Sequence, residues 1–457
     1  MRVFMLGWEF PPFISGGLGT ACYGLTKAMS SIGTDIMFVL PRPVATPFST
    51  HVKLVSPRPG SPLASPTTEF RLDEFERVTF RTLDAQLSDP YASGSTAPGR
   101  SIGKLERDQR ISATGAPEGN GGASLTADGG RAAISLGQPG AVSGSPYSGD
   151  MFGEIQRYAA LASEIARHES FDIVHAHDWM TFPAGLAVAA IKGVPLVVHV
   201  HSTEFDRSGL HIDQRIYDIE RRGMHGAIKI IAVSHLTRNL ITHHYGIDPS
   251  KVEVVYNAIE TSTNHFDPEQ YRIRKDEKIV LFLGRITMQK GPEYFLAAAK
   301  KVLEVMDNVK FVMAGSGDMI RRTIEMAATM GIGHKVLFTG FLRGGDVEKV
   351  FKMADLYVMP SVSEPFGIAP LEAMSHDVPV IISKQSGVSE VLSHALKVDF
   401  WDINEMANKI VAVLRHPPLA STLRQHGSFE VRRLSWVDAA KACVNVYEQA
   451  RGAMVGR

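Results

Sequence analysis

Cysteine is nearly absent. Cys22 and Cys443 are the two in 457 residues, almost a chain length apart. That excludes a disulfide framework and a zinc-ribbon spacing, and it fits a reducing compartment. Long hydrophobic runs are missing as well. The N-terminal run from Met1 to Gly7 stops at Trp8-Glu9, before it is long enough for a signal-peptide core. No stretch approaches the roughly 18 uninterrupted apolar residues of a spanning helix. A cytoplasmic protein with no integral membrane segment is therefore expected. Net charge is lacking too: 48 basic residues balance 48 acidic ones. Nothing overall favours nucleic acid or an anionic membrane surface as a partner.

What is present is a globular composition, 44% hydrophobic and 21% charged, on a chain too long for one core. Short runs rich in Val, Ile and Phe alternate with longer amphipathic stretches, the pattern of strands buried on both faces with helical crossovers. Twelve strands are predicted: near 2–6, 35–40, 172–175, 195–201, 229–233 and 252–256, then near 278–283, 310–314, 336–339, 356–359, 378–382 and 396–399. The fold class expected is α/β, with two doubly wound domains. From 91 to 150 the composition changes, and Gly, Ser, Ala and Pro make up 35 of 60 residues. Such a segment buries too little apolar surface to offset its ordering entropy, so it reads as a disordered insertion. The polar stretch Glu260-Thr261-Ser262-Thr263-Asn264 marks a hinge. The expected boundaries are a domain at 1–257 carrying the insertion, a domain at 258–433, and a closing helix at 434–457 with Trp436, Ala439, Ala440, Cys443, Val446 and Tyr447 on one face.

Three Gly-containing loops follow predicted strands. The first, Trp8 to Gly19, contains Glu9 and Gly16-Gly17-Leu18 and opens a helix. There, backbone N–H groups approach an anion and the helix end adds partial positive charge; a plain tight turn has the same sequence. The second, Gly284 to Pro292, carries Arg285 and Lys290, a bidentate fork and a point charge that together suit a diphosphate. The third, Ser363 to Glu372, places Pro370 in a first helical turn. The preceding amides of Gly367, Ile368 and Ala369 are then free to hold an anion. Glu364 and Glu372 bracket that helix start, where a carboxylate accepts hydrogen bonds from sugar hydroxyls or merely complements the macrodipole.

Histidines form a fourth group: His175, His177 and Asp178, then His199 and His201. Each pair alternates along a strand, so both members share a face. Such residues ligate a metal, donate to a hydroxyl or sit satisfied in a core. No Asp-x-Asp sequence occurs in the chain, so the short acidic element by which many sugar-nucleotide enzymes chelate a divalent ion is missing. Arg285, Lys290 and the Gly367 helix start offer the neutralising charge instead. No metal and no cofactor is expected.

In their order, these elements resemble the retaining glycosyltransferases of the two-Rossmann (GT-B) fold, most closely the glycogen and starch synthase-like members. The resemblance runs from Glu9 and Gly16-Gly17 through His177-Asp178-Trp179, His201, Arg285, Lys290, Glu364 and Glu372 to Ser435-Trp436 and Tyr447. It implies two Rossmann-like domains facing across a cleft, and transfer of a hexose, glucose first, from ADP- or UDP-glucose to a saccharide such as an α-glucan. It assigns Arg285 and Lys290 to the donor diphosphate, Glu364 to the transferred sugar, Glu372 to the ribose and His201 to the 6-hydroxyl. Gly17 and Leu18 would meet the phosphate from the first domain, while Glu9 and Asp178 would face the acceptor. A sugar-nucleotide epimerase of the same fold and a metal-dependent hydrolase built on the histidines are the alternatives.

Overall fold

Residues 1–10, 17–41, 67–70, 78–83, 151–260 and 277–455 are described by a computed structural model of the chain. The segment 91–150, Gly16 and most of the polar stretch after Glu260 lie outside them. Two sheets organise the described residues. The first contains β1 (Arg2–Leu6), β2 (Asp35–Leu40), β3 (Thr67–Phe70), β4 (Val78–Leu83), β5 (Ile173–His177), β6 (Leu196–Val200), β7 (Lys229–Ala232) and β8 (Val252–Val254), in the order β3-β4-β2-β1-β5-β6-β7-β8. All neighbours pair in parallel except β3 with β4. The connecting helices are α1 (Gly17–Ser31), α2 (Met151–His168), α3 (Phe182–Lys192), α4 (Glu204–Ser208), α5 (Gln214–Gly226) and α6 (His235–His244).

The second sheet is wholly parallel: β9 (Lys278–Leu283), β10 (Val309–Ala314), β11 (Val336–Gly340), β12 (Leu356–Met359), β13 (Val380–Ser383) and β14 (Leu396–Val398), in the order β11-β10-β9-β12-β13-β14. Its helices are α7 (Pro292–Leu303), α8 (Ile320–Thr329), α9 (Gly345–Met353), α10 (Ala369–Ser375), α11 (Ile403–Arg415) and α12 (Pro417–Val431), and α13 (Trp436–Val455) follows. The apolar runs of β1, β5, β10 and β12 are buried nearly throughout, as strands covered by helices on both faces must be. Two apolar clusters, one around Phe295 and one around Leu371, draw on alternate residues of the second sheet. The architecture is the expected pair of doubly wound α/β units.

All twelve predicted strands are present. β5 runs on to His177 rather than ending at His175, and the two strands at 67–70 and 78–83 were not predicted. The last helix packs on the first sheet: Trp436, Ala440, Cys443 and Tyr447 share one buried cluster with Cys22, Leu25 and Met29 of α1 and with Val3 of β1. Contact between α1 and α13 is close enough to require glycine at Gly24, where a Cβ would lie 2.3 Å from Cε2 of Trp436.

Candidate functional site

In doubly wound sheets, ligands bind beyond the strand carboxyl ends where the strand order reverses. In the first sheet that point lies between β1 and β5, and in the second between β9 and β12. The loops leaving these four strands hold Glu9 and Gly17, Asp178, Arg285 to Gly291, and Pro360 to Gly367. Sheet order alone therefore gathers most of the sequence-predicted residues at two switch points, with His201 just after the neighbouring strand β6.

At the second switch point the loops after β9 and β12 interlock. Val362 donates its amide to the Gln289 carbonyl at 2.9 Å. A Cβ on Gly291 would lie 2.1 Å from the Pro360 carbonyl oxygen, and Gly291 has a positive φ of 66°, so only glycine lets the loops approach this closely. Within this junction the Lys290 ammonium donates to Oε2 of Glu364, and Ser361 Oγ donates to the same oxygen at 3.1 Å. Arg285 donates to Oε1 of Gln289 at 3.2 Å. A cation expected to meet phosphate and a carboxylate expected to meet sugar are thus paired with each other. Gly367 takes φ 103° just before α10, which has Pro370 in its first turn after Ile368 and Ala369. Glu372 lies in that same turn, and burial pushes its carboxyl up to about 7.

At the first switch point Asp178 adopts φ 59°, uncommon for a residue with a side chain. Its Oδ1 accepts from the backbone amides of His201 at 2.6 Å and Ser202 at 3.3 Å. Burial raises this carboxyl to about 7, against those hydrogen bonds and the Arg207 charge. The carboxylate therefore positions the loop after β6. His201 also meets His177, Nε2 to Nδ1, at 3.0 Å. Burial lowers its pKa to about 3, so it is a neutral hydrogen-bonding group at pH 7. Glu9 is buried beyond β1, Leu18 is buried in α1, and Gly17 at the start of that helix is exposed.

The loop after β6 is further fixed by residues that the sequence reading did not single out. Thr203 and Asp206 form a capping box at the start of α4, with Asp206 Oδ2 accepting from Thr203 N at 2.7 Å. Arg207 bridges Glu204 at 3.2 Å and Glu220 at 2.6 Å. The spacing Thr203-x-x-Asp206 was the available signal. Asp206 then reaches the other sheet's loops, its Oδ1 accepting from Ser363 Oγ at 2.6 Å. Two more links run alongside. Ser234 Oγ donates to the Pro365 carbonyl at 2.6 Å, and the Glu390 carboxylate accepts from the amides of His235 and Leu236 at 2.9 and 2.8 Å. These contacts hold the loops after β6 and β7 of the first sheet against those after β12 and β13 of the second.

Known proteins are similar to this chain in sequence and in fold. Three family models match successive parts of the chain: the starch synthase catalytic domain over 2–89, glycosyltransferase family 4 over 129–263 and glycosyl transferases group 1 over 264–428. An uncharacterized glycosyltransferase of Methanocaldococcus jannaschii is 35% identical over 306 residues, covering 63% of this chain and 78% of that one. A glycogen synthase of Mycobacterium tuberculosis is 24% identical over 462 residues, 99% of this chain and 95% of the relative. Among solved structures, Anabaena Alr3699/HepE in complex with UDP and glucose superposes with a TM-score of 0.66 at 15% identity, over 98% of this chain and 100% of that one. Among the described residues no helix is long and apolar enough to cross a membrane.

Proposed function

Because the chain belongs to the GT-B glycosyltransferases of the glycogen and starch synthase-like type, we propose that it transfers glucose, with retention, from UDP- or ADP-glucose to a saccharide acceptor. The observation that carries this reading is the Lys290–Glu364 pair at the β9/β12 switch point, with Arg285 on the same loop and Glu372 in the helix start beyond. A donor diphosphate takes Lys290 from Glu364. The freed carboxylate then accepts hydrogen bonds from hexose hydroxyls, so one exchange of partners engages both ends of the donor.

Arg285 and Lys290 meet the charge that grows on the departing diphosphate, aided by the amides of Gly367, Ile368 and Ala369 and, from the first sheet, of Gly17 and Leu18. Glu372 accepts from the ribose. His201 accepts His177 Nδ1–H at its Nε2, which leaves its own Nδ1–H as a donor to a sugar oxygen. Glu9 and Asp178 flank the acceptor. The transfer uses no catalytic cation, and front-face attack requires no covalent nucleophile. Closed loops exclude water that would otherwise hydrolyse the donor. The reading places the enzyme in the cytoplasm, with an α-glucan as the first acceptor to try.

A thermal-shift screen with UDP-, ADP- and GDP-sugars, followed by NMR assignment of the product's anomeric configuration, tests the proposal. Stabilisation by one glucose nucleotide and an α-linked product support it. Release of nucleotide with no acceptor consumed would indicate an epimerase, and an inverted product would overturn the mechanism.

A further inference from the structure

His175 and His177 of β5, His199 of β6 and His201 just after β6 form a stack, the first three buried, that the transfer reaction uses only at one end. His175, His177 and His199 are at most 1% exposed. Each offers a ring nitrogen within 4.8 Å of the other two. Their rings are nearly parallel, with interplanar angles of 29°, 13° and 31° among the three pairs. This arrangement follows from the alternation of residues along each strand and from the register that pairs His177 with His199. No hydrogen-bond partner meets Nε2 of His175, Nε2 of His177 or either nitrogen of His199. Buried polar atoms are nearly always satisfied, so this concentration calls for a ligand.

The hydrogen bonds that are made say which ligand. His177 Nδ1 meets Nε2 of His201 at 3.0 Å. His175 Nδ1 meets the Tyr447 hydroxyl at 2.5 Å, and that hydroxyl is itself directed at Met29 Sδ, 3.8 Å away. With the protons on both Nδ1 atoms, each Nε2 carries a bare lone pair. A partner holding the far nitrogen is the usual outer support of a metal-bound imidazole. Ligation needs a neutral ring with a free lone pair, which the Nδ1 hydrogen bonds of His175 and His177 leave at each Nε2. A second trio, Cys22, His177 and His201, shares His177 and adds a sulfur. Neither group contains a carboxylate, and imidazole nitrogens suit zinc rather than magnesium or calcium.

We propose that His175, His177 and His199 bind one divalent transition-metal ion of the zinc class, which ties β5 to β6 beneath α1 and α13 and takes no part in glycosyl transfer. Binding requires the stacked rings to turn so that one lone pair of each converges on a common point. The ion belongs to the structure, and its readouts are independent of donor chemistry, so this inference and the transferase reading fail separately.

Tag-free protein purified with zinc present is analysed for metal by mass spectrometry, beside His199→Leu and His175→Gln. About one ion per chain is expected in the parent and far less in both variants. Cobalt-loaded parent should show visible ligand-field absorption that the variants lack. Prolonged chelation should lower the parent's Tm by several degrees and leave the variants' Tm unchanged. Should one variant fail to fold, the other and the parent's cobalt spectrum still decide. Less than about 0.1 ion per chain after zinc or cobalt loading, or a Tm indifferent to chelation, means that water or nothing occupies the set, and the proposal is overturned. Equal metal content in parent and variants places the ion elsewhere and overturns it as well.

Discussion

If donor binding separates Lys290 from Glu364, then weakening that pair should strengthen the binding of a bare nucleoside diphosphate. Glu364→Gln is the cleanest perturbation, because it keeps the size of the side chain and an acceptor for Ser361 while removing the negative charge. The side chains of the pair are 21% and 8% exposed, so solvent screens their attraction only in part. Charge-assisted hydrogen bonds of this kind contribute about 1.5 to 3 kcal/mol. The substituted amide would still accept from Lys290 through its carbonyl oxygen, so about 1 to 2 kcal/mol should be recovered, a roughly 5- to 30-fold gain in affinity. Lys290→Ala should do the reverse, and it should also slow the chemical step by roughly 2 to 4 kcal/mol, as removal of a preorganised electrostatic donor does. Glu364→Gln should likewise lose most transfer activity, through poor placement of the sugar. Calorimetry with UDP and ADP on both single variants and the double variant isolates the coupling. Melting curves check that each protein is folded. If Glu364→Gln weakens nucleotide binding as strongly as Lys290→Ala, the carboxylate holds the loop rather than the sugar, and the exchange of partners is wrong.

Three further outcomes follow from the geometry. Transfer should continue at an undiminished rate after brief exposure to excess EDTA, since Arg285 and Lys290 supply the charge; loss restored only by a divalent ion would contradict this. Gly387→Ala should cost about 1 to 3 kcal/mol in a urea titration, because its Cβ would fall 2.2 Å from the Pro365 carbonyl oxygen and 2.5 Å from Cβ of Ser234; an unchanged midpoint would mean that the two loops yield freely. The Glu372 carboxyl is raised from 4.5 to about 7 by burial, so its contribution is fully present below pH 4.5 and is lost as pH rises through 7. The parent should lose about 3 kcal/mol across that window relative to Glu372→Gln, and parallel stability profiles for the two proteins would rule this out.

The sheets were legible because their strands are buried on both faces and so read as uninterrupted apolar runs, such as Val3 to Leu6 and Ile279 to Leu283. The strands at 67–70 and 78–83 were missed because they sit among Pro, Ser and charged residues, with no comparable run to mark them. The site residues were legible one loop at a time, each from glycines and charges after a strand. Their partners were not. Lys290 and Glu364 are 74 positions apart, Asp206 and Ser363 are 157, and no local periodicity encodes such pairs. Asp178 shows the same limit. The family resemblance implied an acceptor contact for it, whereas its positive φ and its bonds to the amides of His201 and Ser202 give it a second task that only the fold reveals.

One proton assignment joins the two chemistries placed on the histidines. With the proton on His177 Nδ1, Nε2 of His201 is an acceptor, so His201 must carry its own proton on Nδ1, where the proposed reaction has it serve a sugar oxygen. The same choice strips the proton from His177 Nε2 and readies it for a metal. Were His177 protonated on Nε2 instead, His201 would have to donate from its Nε2, lose its Nδ1–H as a neutral ring, and leave His177 with a buried N–H lacking a partner among the described residues. The burial that disfavours such an orphan N–H therefore also favours the tautomer in which His201 keeps Nδ1–H, the donor that the proposed reaction needs.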